Sequence, residues 1–533
     1  MRILICVAWP NASGPRHLGH AAGCYLPADV VARYHRLAGD EVLVVSGSDC
    51  HGTPVTVAAE AAGVEPAAFA AQQHEAIAAT FARLGLRYDV YTTTTTANHE
   101  TVVHEVFGRL RDNGCIEEGE QLSAWCTSEG RSLPDRYVEG GCPHCGATDA
   151  RGDQCDRCGH TLDPADLVRP RCTRCGAEAT LKPLRQLFVR LDLLQPSVER
   201  FLESREAQRE AERSADPYRW RPFVLSEALG WVREGLKQRA ITRDLDHGVR
   251  VPLHGWDDRR LYVWFEDVIG YVSATREADP DGWRTWWDDA GSLHRYFIGK
   301  DNIPFHAVWW PALLAGAGFA HLPDDVVANH YLTLGEVQMS ASRGHGFTID
   351  DAIDRLGVDP LRHALVALNP ETQDVAFTFE QANDLTRTGL LGDIANPAYR
   401  LATLVAKRFG GRLAPAPDAL GAAGEQLDAI GAAYRRAELR RALGGVHELG
   451  RHINRTLAST EPWHLDDAEA RPVLASLVPF ADALGVAAWP VVPSTAARIR
   501  RLLGRTPEPS SWSIGPEPVR IPLDPERPLR EDG

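Results

Sequence analysis

Several groups of residues carry side chains whose types and spacing suit chemistry. His17-Leu18-Gly19-His20 sets two imidazoles around a glycine where a helical pattern opens, just after the turn residues 10–14. A helix N-terminus favours anions, and imidazoles there suit a phosphate chain that gains negative charge; the glycine lets such a ligand approach the backbone. A second polar group, Gly47-Ser48-Asp49-Cys50-His51-Gly52, follows an apolar run, at the end of a strand where open parallel sheets bind ligands. Cys142-Pro-His-Cys145 and Cys155-Asp-Arg-Cys158 are paired C-x-x-C knuckles, a spacing at which four thiolates close a tetrahedral zinc site. Cys172-Thr-Arg-Cys175 is a third knuckle, with Cys126 and Glu129 as candidates to complete it, so a second zinc stays open. No open ligand position is evident in either set, so the metal is expected to be structural.

These groups need elements to hold them. Residues 3–8 and 42–45 read as short buried strands, and the helical pattern between them ends at Gly39, a plausible C-terminal cap. Helical patterns at 58–84 and 98–113 flank a strand candidate at 89–93. Residues 116–221 change character, becoming rich in Gly, Cys, Asp and Arg, before strand and helix signals return over 241–271 and 296–314. The division is therefore an α/β domain in two halves, 1–115 and 222–330, split by an insertion at 116–221. A linker with a glycine-rich loop follows at 331–385, then a Leu-, Ala- and Arg-rich helical bundle at 386–504, and an extended or disordered tail at 505–533.

A chain of 533 residues exceeds one core. Its net charge of −15 argues against a general nucleic-acid coat, while leaving room for a local surface that binds one RNA. No apolar run reaches bilayer-spanning length and no signal segment precedes the first strand, so a cytoplasmic location without a membrane or DNA partner is expected. Seven of the eleven cysteines lie between 126 and 175, a clustering that in the cytoplasm points to metal rather than disulfides.

Together these residues resemble the methionyl-tRNA synthetases, a family of class I aminoacyl-tRNA synthetases, from residue 3 to about 490. His17-Leu18-Gly19-His20 is similar to the first class signature. Gly47 to Pro54, Tyr262-Val-Trp-Phe265 and Ile298-Gly-Lys-Asp-Asn302 resemble blocks of the methionine enzymes. The stretch Gln338-Met339-Ser340-Ala341-Ser342-Arg343 stands where the second signature, K-M-S-K-S, belongs. The resemblance implies a Rossmann-type catalytic domain with a zinc-knuckle insertion, followed by an α-helical anticodon-binding bundle. It implies that methionine and ATP, with Mg2+, form methionyl-adenylate, and that the methionyl group passes to tRNA(Met). By similarity His17, Gly19, His20, Gln338, Met339 and Ala341 bind ATP, with His17, His20, Ser340, Ser342 and Arg343 acting on the phosphates. Asp49 pairs with the substrate ammonium, and Trp9, Asn11, Trp264, Asp267, Tyr271 and His306 line the amino-acid pocket. Asn396, Arg400 and Trp463 match anticodon-reading positions, with Arg435, Arg436, Arg440, Arg441, Arg451 and Arg455 as nearby positive charge; an exposed indole suits stacking on a splayed base.

Three departures keep rival readings open. Both signature lysines are missing, replaced by Gln338 and Ala341, with Arg343 as a partial substitute. Asn11 stands where a Tyr usually closes over methionine, and Asp267 stands where the family has a small residue. A carboxylate facing a thioether is unfavourable unless paired; it suits a side chain bearing a donor, or it turns away to an arginine. The rivals are a paralogue that activates another amino acid without tRNA, and a non-catalytic tRNA-binding or regulatory protein.

Overall fold

Strand β1 (Arg2–Val7), with five of its six residues buried, runs through the centre of a five-stranded parallel sheet. The computed structural model describes residues 1–155, 157–158, 160, 162–211, 218–289, 291–335, 337–338 and 346–526. The other elements used below are β2 (Glu41–Ser48), β3 (Val90–Thr93), β4 (Ile116–Cys126), β5 (Thr180–Val189), β6 (Ser292–Gly299) and β7 (Asp325–Asn329). The sheet order is β7-β6-β1-β2-β3, so strands from both sides of the insertion share one sheet. Strands covered by helices on both faces read as continuous apolar runs, as β1 does. The register of β1 with β2 (Ile3 opposite Val42, Cys6 opposite Val45) carries the two strand ends side by side and bridges Asn11 to Asp49.

The helical pattern after His17 is one continuous helix with a change of pitch inside it. Leu18–His20 is α-helical, Ala21–Tyr25 is a π-turn, and α1 (Leu26–Leu37) completes it; Gly39, at φ +84°, ends it as expected. The π-turn widens the ladder, and side-chain amides fill the gaps: Asn369 donates to the Ala22 carbonyl and Asn329 to that of Gly23. The pattern expected as one helix over 58–84 is two helices, Gly52–Ala62 and Pro66–Arg83. Gly63 adopts a left-handed φ of +67°, and Pro66 starts the second helix while Glu65 accepts from the Ala67 and Ala68 amides. The next helix, α2 (Ala97–Asp112), follows β3.

β4 and β5 form a long antiparallel ladder that carries the insertion away from the main sheet. At its far end a small three-stranded sheet, Val138–Gly141, Ala150–Arg151 and Val168–Cys172, packs a separate core around Leu133, Tyr137 and the cysteines. Beyond the linker, α3 (Asn396–Phe409), α4 (Pro417–Arg435), α5 (Leu439–Thr460) and α6 (Asp467–Ala487) form the bundle. Contrary to the reading that no run is long enough, α6 is long and apolar enough to cross a membrane by length and composition, but most of it is buried in the bundle.

The segment expected as an extended or disordered tail is tied down over its described part. Trp512 packs edge-on against Tyr34 and Tyr434 and donates to the Leu427 carbonyl, and Val519–Arg520 pairs with Arg412–Leu413. Few apolar residues serve to fix a segment when they are a tryptophan and a strand bridge.

One buried cation ties three regions together. Arg362, fully buried on helix Val358–Ala367, donates to Asp29 on α1 at 2.7 Å, to the carbonyls of Pro490 and Val491 after α6, and to that of Leu84. Burial alone would raise the Asp29 carboxyl, but Arg33 and Arg362 hold it below its usual range. Arg362→Met should therefore cost about 2–4 kcal/mol, because it leaves three buried carbonyls without this donor while Asp29 keeps Arg33 as its partner. Denaturation of wild type and variant measures this, and an unchanged midpoint would mean the network contributes nothing.

Candidate active site

The phosphate-type end is built at the helix start. The His17 and His20 rings stack with centroids 3.6 Å apart, and the His17 backbone N–H donates to His20 Nδ1 at 3.3 Å. Gly19 is required for this: a Cβ there would stand 3.0 Å from the His17 ring. Burial, then the neighbouring Arg16 cation, lowers His17 to about 4; burial, His17 and Arg16 hold His20 well below its usual value. Both imidazoles are neutral at pH 7, and His17 Nδ1 is buried without a partner. Backbone bonds from Leu18 N to Phe347 O and from Ile349 N to Arg16 O stitch this turn to the segment after the second signature. Gln338 pairs with Thr333 through its backbone; Met339, Ser340, Ala341, Ser342 and Arg343 lie outside the described residues.

The other end gathers three carboxyls. Asp49 accepts from the Asn11 amide at 2.8 Å and from the His51 backbone at 3.1 Å; burial and the charge of Glu266 push it up to about 7. Glu266 is fully buried between His51 Nδ1 and His99 Nε2, each at 2.7 Å, and His99 Nδ1 meets Ser273 at 2.9 Å. Burial would raise Glu266, but the two histidines hold it at about 2, and Glu266 in turn lifts His51 against the burial that lowers it. Asp267 is buried beside them, and burial with Asp49 and Glu266 raises it well above its usual value. No arginine pairs with it among the described residues, so the reading in which it turns away to one is corrected: a cluster of acids, not a salt bridge, surrounds it.

The pocket residues converge around these acids. Tyr271 hydroxyl and His306 Nε2 are 2.7 Å apart; His306 Nδ1 lies 3.1 Å from the Asn302 carbonyl, and burial keeps this histidine neutral, at about 4. The half-buried Trp264 ring stacks on Phe305 at 4.0 Å, while Trp9 lies so close to Gly47 and Gly270 that a Cβ at either would collide with its ring.

The knuckles assemble as their spacing predicts. Cys142 and Cys158 sulfurs are 3.8 Å apart and those of Cys145 and Cys155 3.6 Å apart, within one four-thiol cluster. Sulfurs at about 2.3 Å from a tetrahedral zinc stand about 3.8 Å apart, so the set fits that ion without rearrangement. Cys126, Cys172 and Cys175 form a second cluster, with Cys126 and Cys175 at 3.5 Å. Glu129, weighed as its fourth ligand, instead pairs with Arg174 at 3.5 Å.

In the bundle, Arg400 donates to Asn454 at 2.7 Å, and Asn454 to the Gly392 carbonyl, one helical turn before Asn396. Trp463 is 43% exposed in the turn between α5 and α6, held by Arg408 bonds to the Pro462 and Leu465 carbonyls. Of the six arginines expected to supply nearby positive charge, four form ion pairs: Arg436 and Arg441 with Glu438, Arg451 with Asp393, Arg455 with Glu448.

Sequence reasoning missed Arg16 and the Glu266–His51–His99 clamp. A charged residue in the turn directly before His17 was a signal for the first; for the second only His51, beside Asp49, stood out. Since the ionised form of Asp49 is the one that holds an ammonium, binding of an ammonium-bearing ligand should weaken as pH falls below about 7, by up to tenfold per unit. Ligand affinity measured from pH 5 to 8 checks this; a flat profile would contradict it.

Comparison with known proteins agrees with this geometry. A family model described as tRNA synthetases class I (M) matches residues 3–402. The methionine--tRNA ligase of Thermomicrobium roseum is 41% identical over 519 residues, covering 94% of this chain and 86% of that protein. That of Roseiflexus castenholzii is 41% identical over 97% of this chain and 88% of its own. The crystal structure of Mycobacterium tuberculosis methionyl-tRNA synthetase bound by methionyl-adenylate superposes with a TM-score of 0.79 at 25% identity, covering 99% of this chain and 100% of that one. With a parallel sheet that ends in Asp49 and leads through the loop after β1 into the stacked histidines, and relatives 41% identical over 86–88% of their length, this chain belongs to the methionyl-tRNA synthetase family of class I tRNA synthetases.

Proposed function

We propose that the chain is a methionine–tRNA ligase, which joins methionine to AMP and then to tRNA(Met). The observation that carries this is Asp49 at the end of β2, bridged to Asn11 in the loop that runs from β1 to the stacked His17–His20 pair, in a chain 41% identical to methionine--tRNA ligases. Asp49 holds the ammonium of the amino acid so that its carboxylate faces the α-phosphate of ATP, supplied with Mg2+ as substrate. In-line attack forms the adenylate and expels pyrophosphate. Such a step needs little covalent help from the protein, only alignment and stabilisation of charge. The neutral imidazoles donate hydrogen bonds to the phosphates. Arg16 contributes fixed positive charge behind them, and Arg343 stands in for the lysines missing at 338 and 341. The adenylate's methionyl carbonyl is then attacked by a hydroxyl at the tRNA 3′ end, releasing AMP.

Cys142, Cys145, Cys155 and Cys158 would hold a structural zinc, with Cys126, Cys172 and Cys175 offering a second place; a bound zinc supplies rigidity to the insertion. Asn396, Arg400 and Trp463 read the anticodon, Trp463 through stacking. The reading carries a cytoplasmic location, where ATP and tRNA meet. A paralogue that activates another amino acid is the second reading, and it rests on Asn11 and Asp267.

Methionine should stimulate exchange of pyrophosphate into ATP; exchange only with another amino acid favours the paralogue, and none at all sinks adenylate formation. Trp463→Ala should lower kcat/KM for tRNA charging by roughly 5- to 100-fold, the worth of one stacked base, and leave pyrophosphate exchange untouched. Equal charging by wild type and variant would remove Trp463 from the anticodon site. Chelation should expose residues 126–175 to protease while the helical bundle stays intact, and equal protection of the insertion with and without chelator would argue against a structural metal.

A further inference from the structure

Asp49, Cys50 and His51 join β2 to the helix Gly52–Ala62, and groups from other elements pin them one at a time. The Asp49 amide donates to the Pro10 carbonyl, and the Asp49 carbonyl accepts from the Ala12 amide. The Cys50 amide donates to Thr94 Oγ1 at 3.0 Å, and the Cys50 carbonyl lies 2.8 Å from His247 Nε2. The His51 amide goes to the Asp49 carboxyl itself, which accepts it on Oδ1 at 3.1 Å while Asn11 donates to Oδ2 at 2.8 Å. The direction of the Asp49 carboxylate is therefore set by Asn11 and by where the His51 amide stands.

The His51 backbone is held in turn by its ring. The imidazole is buried, lies edge-on to His247 with centroids 4.9 Å apart, and its Nδ1 meets Glu266 Oε1 at 2.7 Å. Glu266 is fixed from the other side: it is fully buried, its second oxygen lies 2.7 Å from His99 Nε2, and His99 Nδ1 lies 2.9 Å from Ser273 Oγ. Keeping an ionised carboxylate fully buried is costly, and no step of the reaction above uses Glu266. Its two hydrogen bonds nevertheless end one residue pair away from the group that does take part.

We propose that Glu266 is a positioning residue for amino-acid activation: anchored by His99, it fixes the His51 ring, and through the His51 amide it aims the Asp49 carboxylate at the substrate ammonium. This rests on Asp49 holding that ammonium. Glu266 never touches the substrate; what it supplies is an acceptor in one place, against which the loop after β2 is set.

The test is equilibrium binding, by calorimetry on the full chain, of methionine and of 4-(methylthio)butanoate, in which hydrogen replaces the ammonium. Glu266→Leu removes the acceptor, and His51→Phe keeps a ring beside His247 but removes Nδ1. Each should weaken methionine by roughly ten- to hundredfold, the worth of a hydrogen bond to a charged group, and the desamino ligand by less than about twofold. Glu266→Gln, which still offers an oxygen to the His51 ring, should hold methionine within about threefold. Unchanged methionine affinity in either of the first two variants overturns the proposal. Equal losses for the two ligands also overturn it, because the damage would then be to the pocket as a whole. So does a Glu266→Gln chain as weak as Glu266→Leu, which would make charge rather than placement the cause. Denaturation midpoints accompany each variant; if Glu266→Leu does not fold, His51→Phe, which leaves Glu266 its bond to His99, carries the comparison, and loss of the fold in both makes the network structural and overturns the proposal. The wild-type measurements stand apart: a wild type that binds both ligands equally faults the ammonium role of Asp49, and one that prefers another amino acid faults methionine, with the variants then compared on that amino acid and its desamino acid.

Discussion

Keeping three carboxyl groups in one buried corner of the sheet is costly, and much of the architecture around the site follows from meeting that cost. Isolated charges in such a place lose several kcal/mol of hydration each unless they are paired or neutralised. Glu266 is paired through two imidazoles that come from different elements: His51 just beyond β2, and His99 on α2. Asp49 leans on a backbone amide and on Asn11, which reaches across from the end of β1. Glu266 itself comes from the chain beyond the insertion. The compensation therefore exists only when both halves of the α/β domain are assembled in one sheet, which makes the site and the fold mutually dependent.

A similar logic joins the regions further out. Arg362 is the shared donor for α1, for the chain after α6 and for the Leu84 carbonyl, so the bundle is docked to the catalytic domain by polar bonds inside an apolar contact. Directional bonds of this kind fix orientation more sharply than apolar packing does. In the proposed reading, in which the bundle binds one end of an RNA and the sheet domain reacts with the other, a fixed angle between the two serves the reaction.

The order of strands and helices, the insertion and the four-thiol cluster were legible because each depends on neighbours in sequence: apolar runs, glycine caps, and thiols with two residues between them. What the sequence hid depends on distant partners. The π-turn at Ala21–Tyr25 is stabilised by Asn329 and Asn369, more than three hundred residues away. The break between Gly52–Ala62 and Pro66–Arg83 was written locally, in Gly63 and Pro66, but the long helical periodicity of alanines masked it. The tail at 505–526 has the composition of a free segment and is held by Trp512 and one strand bridge. The bundle's arginines promised a basic surface until Glu438, Asp393 and Glu448 were seen to pair with them. Asp267 stood out as an oddity in sequence, and only the fold shows it buried beside Asp49 and Glu266 with Oδ1 unpaired among the described residues.

The phosphate end deals with charge differently from the amino-acid end. Two stacked imidazoles cannot both be cations at 3.6 Å, and burial beside Arg16 keeps them neutral. Neutral imidazoles give directional N–H donors at little electrostatic cost, while the permanent charge sits one residue back, on an Arg16 side chain anchored to the Gly14 carbonyl. That places one permanent positive charge in the turn that carries His17. The bonds from Leu18 N to the Phe347 carbonyl and from Ile349 N to the Arg16 carbonyl tie the chain at 347–349 to that turn, so the position of the histidine pair depends on a segment more than three hundred residues away.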